Sequence, residues 1–533
     1  MVVPELGPWR AAGPRVRRIA SAVRPRLTHA VRTAKPQVTR LISTVRPLLA
    51  DLPRPRSLST LQYTAGAATA GLVLAAGVVT LSGPWDATGQ RTAERDRATA
   101  LEHARGADHG PGPAAGGPRP APSAPAVLAG LGAATSPVDT RQAPAAGGTA
   151  LADVLGPLLG SAALGDGHTA VVVDVATGKR LYSVGPDKGL TPASTTKLAT
   201  ATAALNALGP DHRFTTRTAL LGGTRELVLV GGGDPTLTAH AKADGWASLR
   251  TLATRTAATL RERGIHKIAL SYDTTLYAGP ALHPIGVNDN LAQVSALIAD
   301  EGRTDNSTSG PVRRVADPAQ DAARKFAGFL KAAGVDTTGP APAKGSAGAE
   351  TVASVSSPPL SALVERMLTN SDNDIAEALA RQTALASGQP GSFDGGAKAI
   401  AGQLRKLGLP LTGTAFHDGS GLDRDDRLTA DLLTAILVKA GTPDHPGLRP
   451  LLTGLPIAHF TGTLSARYAD GAAGLVHAKT GTLTGVNTLA GTVVDQDGRL
   501  LAFAFLATGT TDPMAAQSAL DETATALSAC GCG

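Results

Sequence analysis

Three short motifs constrain this chain of 533 residues more than any other feature, because each occurs once and they follow a fixed order. They are Ser194-Thr195-Thr196-Lys197, Ser371-Asp372-Asn373 and Lys479-Thr480-Gly481. Each motif alone is common by chance, so the weight rests on their ordered co-occurrence. A serine hydroxyl becomes an effective nucleophile only when a base lies within hydrogen-bond reach. The set pairs a serine with a lysine, and it therefore predicts an acyl-transfer site.

The first motif is predicted to lie at the start of a helix. A run rich in Ala, Thr and Leu extends from Ser194 to Leu208 and is stopped by Gly209-Pro210. Residues i and i+3 share one helix face, so Lys197 is expected beside Ser194. A free lysine has a pKa near ~10.4, and lowering it to about 7 requires about 4.6 kcal/mol of selective destabilisation of the ammonium. Burial and a second cation, Lys479, are expected to supply it.

The other two motifs supply the remaining polar groups of the predicted site. Lys479 is expected to attract a substrate carboxylate toward Thr480 and Thr482, while Ser371 relays a proton and Asn373 holds the substrate amide. The residues predicted to be catalytic are Ser194, Lys197, Ser371, Asn373 and Lys479. The residues predicted to bind substrate are Thr480, Gly481 and Thr482.

Composition and charge indicate a globular protein with an unusual N-terminal region. Apolar residues make up 42% of the chain and charged residues 17%, whereas aromatic residues make up only 3%, which predicts an aliphatic core packed by small side chains. The formal net charge is +7, but residues 1–60 hold twelve Lys or Arg against Glu5 and Asp51. The basic character is therefore local. Because this tract directly precedes an apolar stretch, membrane topology explains it more simply than nucleic-acid binding.

The apolar stretch predicts one membrane-spanning helix. Residues 61–83 are about 23 mostly apolar residues, which is long enough at 1.5 Å per residue to cross a hydrocarbon core of roughly 30 Å. The positive-inside rule then places residues 1–60 in the cytoplasm and the rest of the chain outside. A cleaved signal peptide is the alternative, but its basic region would be far too long. Residues 84–148 are rich in Pro, Gly and Ala and predict an extended linker.

The remainder of the chain predicts an α+β catalytic domain that is interrupted by a smaller one. Helical and strand-like runs assign residues 149–230 and 360–533 to the catalytic domain, whose C-terminal part is expected to form an antiparallel sheet closed by a terminal helix. Residues 231–359 mix short strands with helices and are predicted to be an inserted domain. The second motif is expected to interrupt two helices.

The segments around the motifs give the chain a family resemblance over roughly residues 150–528. The relevant segments are Pro192-Ala-Ser-Thr-Thr-Lys197, Gly231-Gly-Gly-Asp-Pro-Thr-Leu237, Ser357-Pro-Pro-Leu360, Ala376-Glu377, Asp418-Gly-Ser-Gly-Leu422 and Ala478-Lys-Thr-Gly-Thr-Leu483. With these segments the chain resembles the D-alanyl-D-alanine carboxypeptidase/endopeptidase family of low-molecular-mass (class C) penicillin-binding proteins. That family belongs to the serine β-lactamase and penicillin-binding superfamily. Two departures are a rather short insertion and His459, where glycine is more usual.

The resemblance implies a fold, a reaction and partners. It implies a β-lactamase/transpeptidase-like domain with an inserted domain, and removal of the terminal D-alanine from peptidoglycan stem peptides through an acyl-enzyme on Ser194. Cleavage of cross-links is a further activity that the resemblance leaves open. Penicillins and other β-lactam antibiotics are expected to acylate the same serine. The resemblance also implies an oxyanion hole formed by the backbone N–H groups of Ser194 and Thr482.

Other functions remain open from the sequence. A β-lactamase would need a base that discharges the acyl-enzyme, and Glu377 is interpreted as structural rather than as that base. An esterase of the same fold and a membrane-anchored wall-binding or sensor protein are further alternatives.

No metal or other cofactor is expected from the sequence. The twelve histidines show no metal-binding spacing, and His417, His459 and His477 are interpreted as structural or exposed residues. No role is assigned to Cys530 and Cys532, the two cysteines of the chain.

Overall fold

The computed structural model describes residues 148–343, 345–468 and 471–531. The strands of these residues form two five-stranded sheets. The helices are α1 (Gly148–Leu159), α2 (Thr196–Leu208), α3 (Leu249–Glu262), α4 (Pro318–Ala332), α5 (Leu360–Asn370), α6 (Asn373–Ala386), α7 (Phe393–Lys406), α8 (Ala430–Gly441), α9 (Pro450–Thr453) and α10 (Pro513–Ser528). The strands are β1 (Gly167–Asp174), β2 (Arg180–Val184), β3 (Thr215–Leu220), β4 (Glu226–Val230), β5 (Lys267–Asp273), β6 (Asp336–Pro342), β7 (Glu350–Ser356), β8 (Val476–Leu483), β9 (Val486–Val494) and β10 (Leu500–Thr508).

The first sheet is antiparallel and has the strand order β2-β1-β10-β9-β8. Its central strands are buried on both faces because side chains that alternate along a strand enter two different cores. Val171 and Val173 pack with the leucines of α2, α5 and α8. Ala170 and Val172 pack on the opposite face with leucines of α1 and α10. This arrangement confirms the predicted C-terminal antiparallel sheet closed by a terminal helix.

Helix α2 lies within the first of these cores and is enclosed on all sides. Residues 196–205 are all buried, and the small Ala and Thr side chains of this segment let neighbouring helices approach closely. A helix without a polar face is typical of a protein interior. The sequence thereby carries Lys197, one turn after Ser194, into the interior of the domain.

The second sheet forms the inserted domain and is mixed, with the strand order β6-β5-β4-β3-β7. Strand β4 pairs in parallel with β5, while β3 pairs antiparallel with β4 and β7. Helices α3 and α4 pack on this sheet through an aliphatic core that includes Leu252 and Phe326. Strands β3 and β4 therefore belong to the inserted domain, which begins near residue 215. The predicted boundary at residue 231 is too late by two strands, because the partners of these strands lie far along the chain.

The α+β class is confirmed, and most predicted elements occur where expected. Helix α3 begins at Leu249 because Ser248 caps it by accepting a hydrogen bond from Thr251 N at 3.2 Å. Among the residues that the structure describes, no helix is both long and apolar enough to cross a bilayer. The predicted segments 1–60 and 61–83 and residues 84–147 of the predicted linker lie outside these residues and stay predictions.

Candidate active site

Ser194 lies in a tight 3-10 turn, Ala193–Thr195, directly before α2. Strand β9 anchors this turn, because Thr488 Oγ1 donates a hydrogen bond to Pro192 O at 2.8 Å. Thr195 Oγ1 donates to the same carbonyl at 2.7 Å. Ala193 adopts a positive φ of 48°, which turns the chain sharply before the serine. The nucleophile candidate is therefore held by the sheet as well as by its own helix.

Lys197 makes three short polar contacts while its side chain is fully buried. Its Nζ lies 3.0 Å from Ser194 Oγ, and it donates hydrogen bonds to Asn373 Oδ1 and to the Ser420 carbonyl, both at 2.7 Å. Burial lowers the pKa of Lys197 to about 8, although the carboxylates of Asp418 and Glu377 oppose the shift. The predicted contact between the first motif's serine and lysine is thus present, with burial as the main cause of the lowered pKa.

The second motif interrupts two helices, as predicted. Ser371 ends α5 in the left-handed conformation with φ of 57°, and Asp372 Oδ1 accepts a hydrogen bond from Ile375 N at 3.0 Å to begin α6. Asn373 then projects toward Lys197. Its Nδ2 donates to the Asn290 carbonyl at 3.0 Å, which orients Oδ1 toward the lysine. Asn290 belongs to the inserted domain, so both domains orient this side chain.

Lys479 faces the second motif from strand β8. Its Nζ donates hydrogen bonds to Ser371 Oγ at 2.9 Å and to Thr480 O at 2.7 Å, and the side chain is fully buried. Burial, followed by the positive charges of Lys197 and Arg467, holds the pKa of Lys479 well below its usual value. The charge of Lys197 thus contributes to the low pKa of Lys479, whereas the main influences on the pKa of Lys197 are burial and nearby carboxylates rather than the expected second cation, Lys479.

The residues after Lys479 run along an edge of the first sheet. Thr480 Oγ1 donates to Thr463 Oγ1 at 2.9 Å. At Gly481 a Cβ would lie 2.7 Å from Pro192 O, so the lack of a side chain lets β8 contact the Ser194 turn. Ala478 donates its N–H away from β9, to Pro456 O at 2.9 Å. Alternation along the strand turns the N–H of Thr482 to the same outer edge, the side where the cleft lies.

Most of these side chains line one cleft of about 350 Å³. Lys197 and Lys479 are buried beneath its lining, where they contact Ser194, Asn373 and Ser371. Its lining from the catalytic domain includes Ser194, Ser371, Asn373, Thr480 and Thr482. One wall comes from the inserted domain, and its residues include Asn290, Arg303, Ser309, Gly310, Pro311 and Arg314. Sequence reasoning located the catalytic-domain side of the cleft but not this wall.

Buried ion pairs connect that wall to the second motif. Arg314 pairs with Asp374 at 2.9 Å, and Arg303 pairs with Glu301 at 2.8 Å, with every one of these side chains nearly inaccessible. Arg314 also donates to the Glu301 carbonyl at 2.6 Å. The sequence carries no pattern that would have identified this network, because its members are separated by up to 73 residues and only the fold brings them together.

A second buried network lies behind Lys197 and holds the segment Asp418-Gly-Ser-Gly-Leu422. Glu377 accepts hydrogen bonds from Gly419 N and Ser420 N, at 3.1 and 2.8 Å. At Gly421, with φ of 82°, a Cβ would lie 1.9 Å from Ala193 O, so the segment packs directly against the Ser194 turn. The sequence did not predict that the Ser420 carbonyl accepts a hydrogen bond from Lys197, although this segment is among those that carry the family resemblance.

The pKa values of the two carboxylates in this network, Glu377 and Asp418, are shifted in opposite directions. Burial raises the pKa of Glu377 to about 7, with the Asp418 carboxylate acting in the same direction. Burial also raises the pKa of Asp418, but hydrogen bonds from His283 and from backbone N–H groups outweigh it and lower the value to about 2. Glu377 is buried and bonded to the segment it supports, which agrees with its interpretation as structural.

Within the described part of the chain, two groups of buried side chains have the composition of a metal site. They are His283, Glu377 and Asp418, and Glu301, Asp372 and Asp374. In the first group, both carboxylates already accept protein N–H groups. In the second, Glu301 and Asp374 face arginines. Neither His417, His459 nor His477 takes part in them. His459 has a φ of 67°, which accounts for the glycine that the family resemblance leads one to expect there.

Comparisons with known proteins give one consistent result. The sequence matches the D-Ala-D-Ala carboxypeptidase 3 (S13) family over residues 152–311 and 304–527. A carboxypeptidase of Mycobacterium tuberculosis is 38% identical over 431 residues, which are 78% of this chain and 90% of that protein. A D-alanyl-D-alanine carboxypeptidase of an Actinomadura species is 30% identical over 433 residues, 66% of this chain and 79% of that protein.

Solved structures support the same fold. The crystal structure of penicillin-binding protein 4 from Haemophilus influenzae aligns with a TM-score of 0.56 and 22% identity, covering 70% of this chain and 97% of that one. This likeness shows that the two chains share a fold.

Proposed function

This chain belongs to the D-Ala-D-Ala carboxypeptidase 3 (S13) family, and from that premise we propose that its acyl-enzyme forms on Ser194 with Lys197 as the base. The protein is a serine-type D-Ala-D-Ala carboxypeptidase. The observation that carries the assignment of the two residues is the 3.0 Å contact between Ser194 Oγ and the buried Nζ of Lys197.

The contacts of Lys197 accommodate a neutral amine as well as an ammonium. A neutral amine has two N–H donors and one lone pair, and the Asn373 and Ser420 oxygens accept two hydrogen bonds from Nζ at 2.7 Å each. The lone pair is then directed at Ser194 Oγ, from which it takes the proton as the oxygen attacks the substrate carbonyl. With a pKa of about 8, a useful fraction of Lys197 is in this state near neutral pH.

The attacked carbonyl belongs to the penultimate residue of the peptide. The developing oxyanion would accept hydrogen bonds from the N–H groups of Ser194 and Thr482, which lie on facing sides of the cleft. The terminal carboxylate of the substrate would bind near Lys479, Thr480 and Thr482. Because burial depresses the pKa of Lys479, binding of the substrate carboxylate would favour its protonation.

The leaving D-alanine needs a proton on its amine. Ser371 lies 2.9 Å from Lys479 Nζ and lines the same cleft, so the pair is suited to deliver that proton. Water then hydrolyses the ester on Ser194 and regenerates the enzyme. Glu377 is bonded to the backbone N–H groups of Gly419 and Ser420, and a buried carboxylate held in this way does not support the rapid acyl-enzyme discharge that a β-lactamase requires.

We further propose that the substrate is the stem peptide of peptidoglycan and that β-lactam antibiotics compete for Ser194. A penicillin-binding protein 4 structure with this fold holds a β-lactam, which supports that expectation. The basic residues 1–60 and the apolar residues 61–83 support membrane anchoring with the catalytic domain outside the cytoplasm. The proposal also includes cleavage by this enzyme of the cross-links between stem peptides.

The test is acylation and turnover by Ser194→Ala and wild-type protein. Wild-type protein should be labelled by a fluorescent penicillin and should release D-alanine from a peptide ending in D-Ala-D-Ala. Ser194→Ala should do neither while keeping its thermal unfolding midpoint, since only one hydroxyl is removed. Labelling of Ser194→Ala at the wild-type rate would refute the assignment. Rapid penicillin hydrolysis by the wild type would favour a β-lactamase, and ligand capture without D-alanine release would favour a sensor.

A further inference from the structure

His283 is a buried histidine of the inserted domain that the reaction scheme above does not use. Its Nε2 lies 3.0 Å from Asp418 Oδ2, and its side chain is 1% exposed while that of Asp418 is 0% exposed. It is the side chain through which the inserted domain meets the segment behind Lys197. Its ring also packs edge-on against Phe393 at a centroid distance of 5.1 Å.

The contacts of the ring define its tautomer. Ile285 N donates a hydrogen bond to His283 Nδ1 at 3.2 Å, so Nδ1 is the acceptor. The ring proton is therefore on Nε2 and is donated to Asp418. A neutral imidazole with its proton on Nε2 satisfies both contacts at once. Burial lowers the pKa of His283, but the hydrogen bond with Asp418 and the charge of Glu377 outweigh it and raise the value, so Nε2 carries a proton toward Asp418 in either charge state.

Asp418 connects His283 to Lys197 through the short segment Asp418-Gly-Ser-Gly-Leu422. Its carboxylate accepts hydrogen bonds from Gly421 N at 2.6 Å, Asp423 N at 2.8 Å and Ser420 Oγ at 3.1 Å. These bonds fix the orientation of the peptide whose carbonyl, at Ser420, accepts from Lys197 Nζ at 2.7 Å. That carbonyl is one of the two acceptors that direct the amine of Lys197 at the nucleophile.

Asp418 also acts on Lys197 through its charge. The carboxylates of Asp418, Glu377, Asp372 and Asp374 all favour the charged form of Lys197, and that of Asp418 has the largest effect. The groups that face His283 are Asp418, Glu377 and Asp423. Two further groups face this network, because Asp426 approaches Asp418 and Arg381 approaches Glu377. A donor directed at Asp418 reduces the negative potential that would otherwise keep Lys197 protonated.

We propose that His283 is a positioning residue of the acyl-transfer site. By donating Nε2–H to Asp418 it fixes the segment whose Ser420 carbonyl orients Lys197, and it offsets the charge of Asp418 that favours the protonated lysine. The inserted domain thereby contributes, through His283, to the orientation and protonation state of Lys197. This inference rests on the proposed function, because it assigns to Lys197 the role of base.

Two polar substitutions separate this role from a general loss of packing. Glutamine places its amide nitrogen near the position of Nε2 and keeps a donor for Asp418. Asparagine places its amide near Nδ1 and leaves Asp418 without one. The rate of acylation by a fluorescent penicillin is measured from pH 6 to 10, together with thermal unfolding. His240, which lies 3.5 Å from Asp300 in the same domain and does not contact Asp418, provides the matched control His240→Asn.

The expected result is a difference between the two variants in the pH profile. His283→Asn should move the acidic limb of the profile to higher pH, with acylation about tenfold slower at pH 7, since a rise of about one pKa unit lowers the neutral fraction of Lys197 by that factor. His283→Gln and His240→Asn should keep the wild-type limb. Equal pH profiles of the two His283 variants would overturn the proposal, as would loss of folding by His283→Asn alone. A wild-type protein that penicillin does not acylate would overturn the proposed function as well.

Discussion

Gly481 offers a test of the site that removes no functional group. It is the glycine of the third motif and lies opposite the Ser194 turn, where an added Cβ would be 2.1 Å from Thr488 Oγ1 and 2.7 Å from Pro192 O. The Thr488 hydroxyl cannot simply rotate away, because it donates to that same Pro192 carbonyl at 2.8 Å. Gly481→Ala must therefore separate strand β8 from the turn.

The size of the effect follows from these distances. Real Cβ contacts are rarely shorter than 3.4 Å, so the Pro192 carbonyl must move by about 0.7 Å. A misplacement of about 1 Å at a reacting group can cost on the order of 100-fold in rate. We expect about 30-fold slower acylation, equivalent to about 2 kcal/mol. Overpacking should also lower the free energy of unfolding by about 1–3 kcal/mol.

The assay is the second-order rate of labelling by a fluorescent penicillin, together with urea denaturation. The matched control is Gly402→Ala in α7, where an added Cβ meets nothing within 4 Å. This control should keep the wild-type labelling rate and gain about 0.5–1 kcal/mol of stability, because alanine is the better helix former. A wild-type rate of labelling in Gly481→Ala would show that the close approach of β8 to the Ser194 turn is unimportant, contrary to this reasoning.

Two further predictions concern buried charge. Burial lowers the pKa of Lys197 to about 8, so the acylation rate should rise about tenfold per pH unit below that value and level off above it. Lys197→Arg should remain inactive at every pH, because arginine cannot release its proton. A pH-independent rate in the wild type, or a wild-type rate in the variant, would contradict this role of Lys197. Asp374→Ala should lower the free energy of unfolding by about 3 kcal/mol, since it removes the nearer carboxylate partner of buried Arg314 and leaves Glu301 at 3.9 Å. Glu350→Ala in an exposed pair should leave the unfolding midpoint unchanged, and equal urea midpoints for the two variants would refute the argument.

Local sequence patterns were sufficient to predict the elements that carry the three motifs. The helix after Ser194 follows from its Ala-rich composition, and the break at the second motif follows from Asp372, which caps α6. The predicted pairing of Ser194 with Lys197 is met at 3.0 Å because a spacing of three residues is short enough for helical geometry to determine it. The catalytic roles of these residues stay predictions until the variants are measured.

Contacts between distant segments could not be predicted in the same way. The pairing of β3 and β4 with strands of the inserted domain could not be predicted, because strand pairing depends on partners far along the chain. From the sequence, burial and the second cation Lys479 were both expected to lower the pKa of Lys197. Only the structure shows that burial is the main cause.

The sequence by itself determined the identities and local geometry of the reacting groups: a serine and a lysine one helical turn apart, an asparagine at a helix start and a lysine on a strand. Only the tertiary structure decided their environment, because burial and electrostatic potential are produced by residues from both domains. The oxygens that orient Lys197 belong to Asn373 and Ser420. Ser420 donates a hydrogen bond to Asp418, which in turn contacts His283 of the inserted domain. Reactivity at this site is therefore a property of the assembled fold.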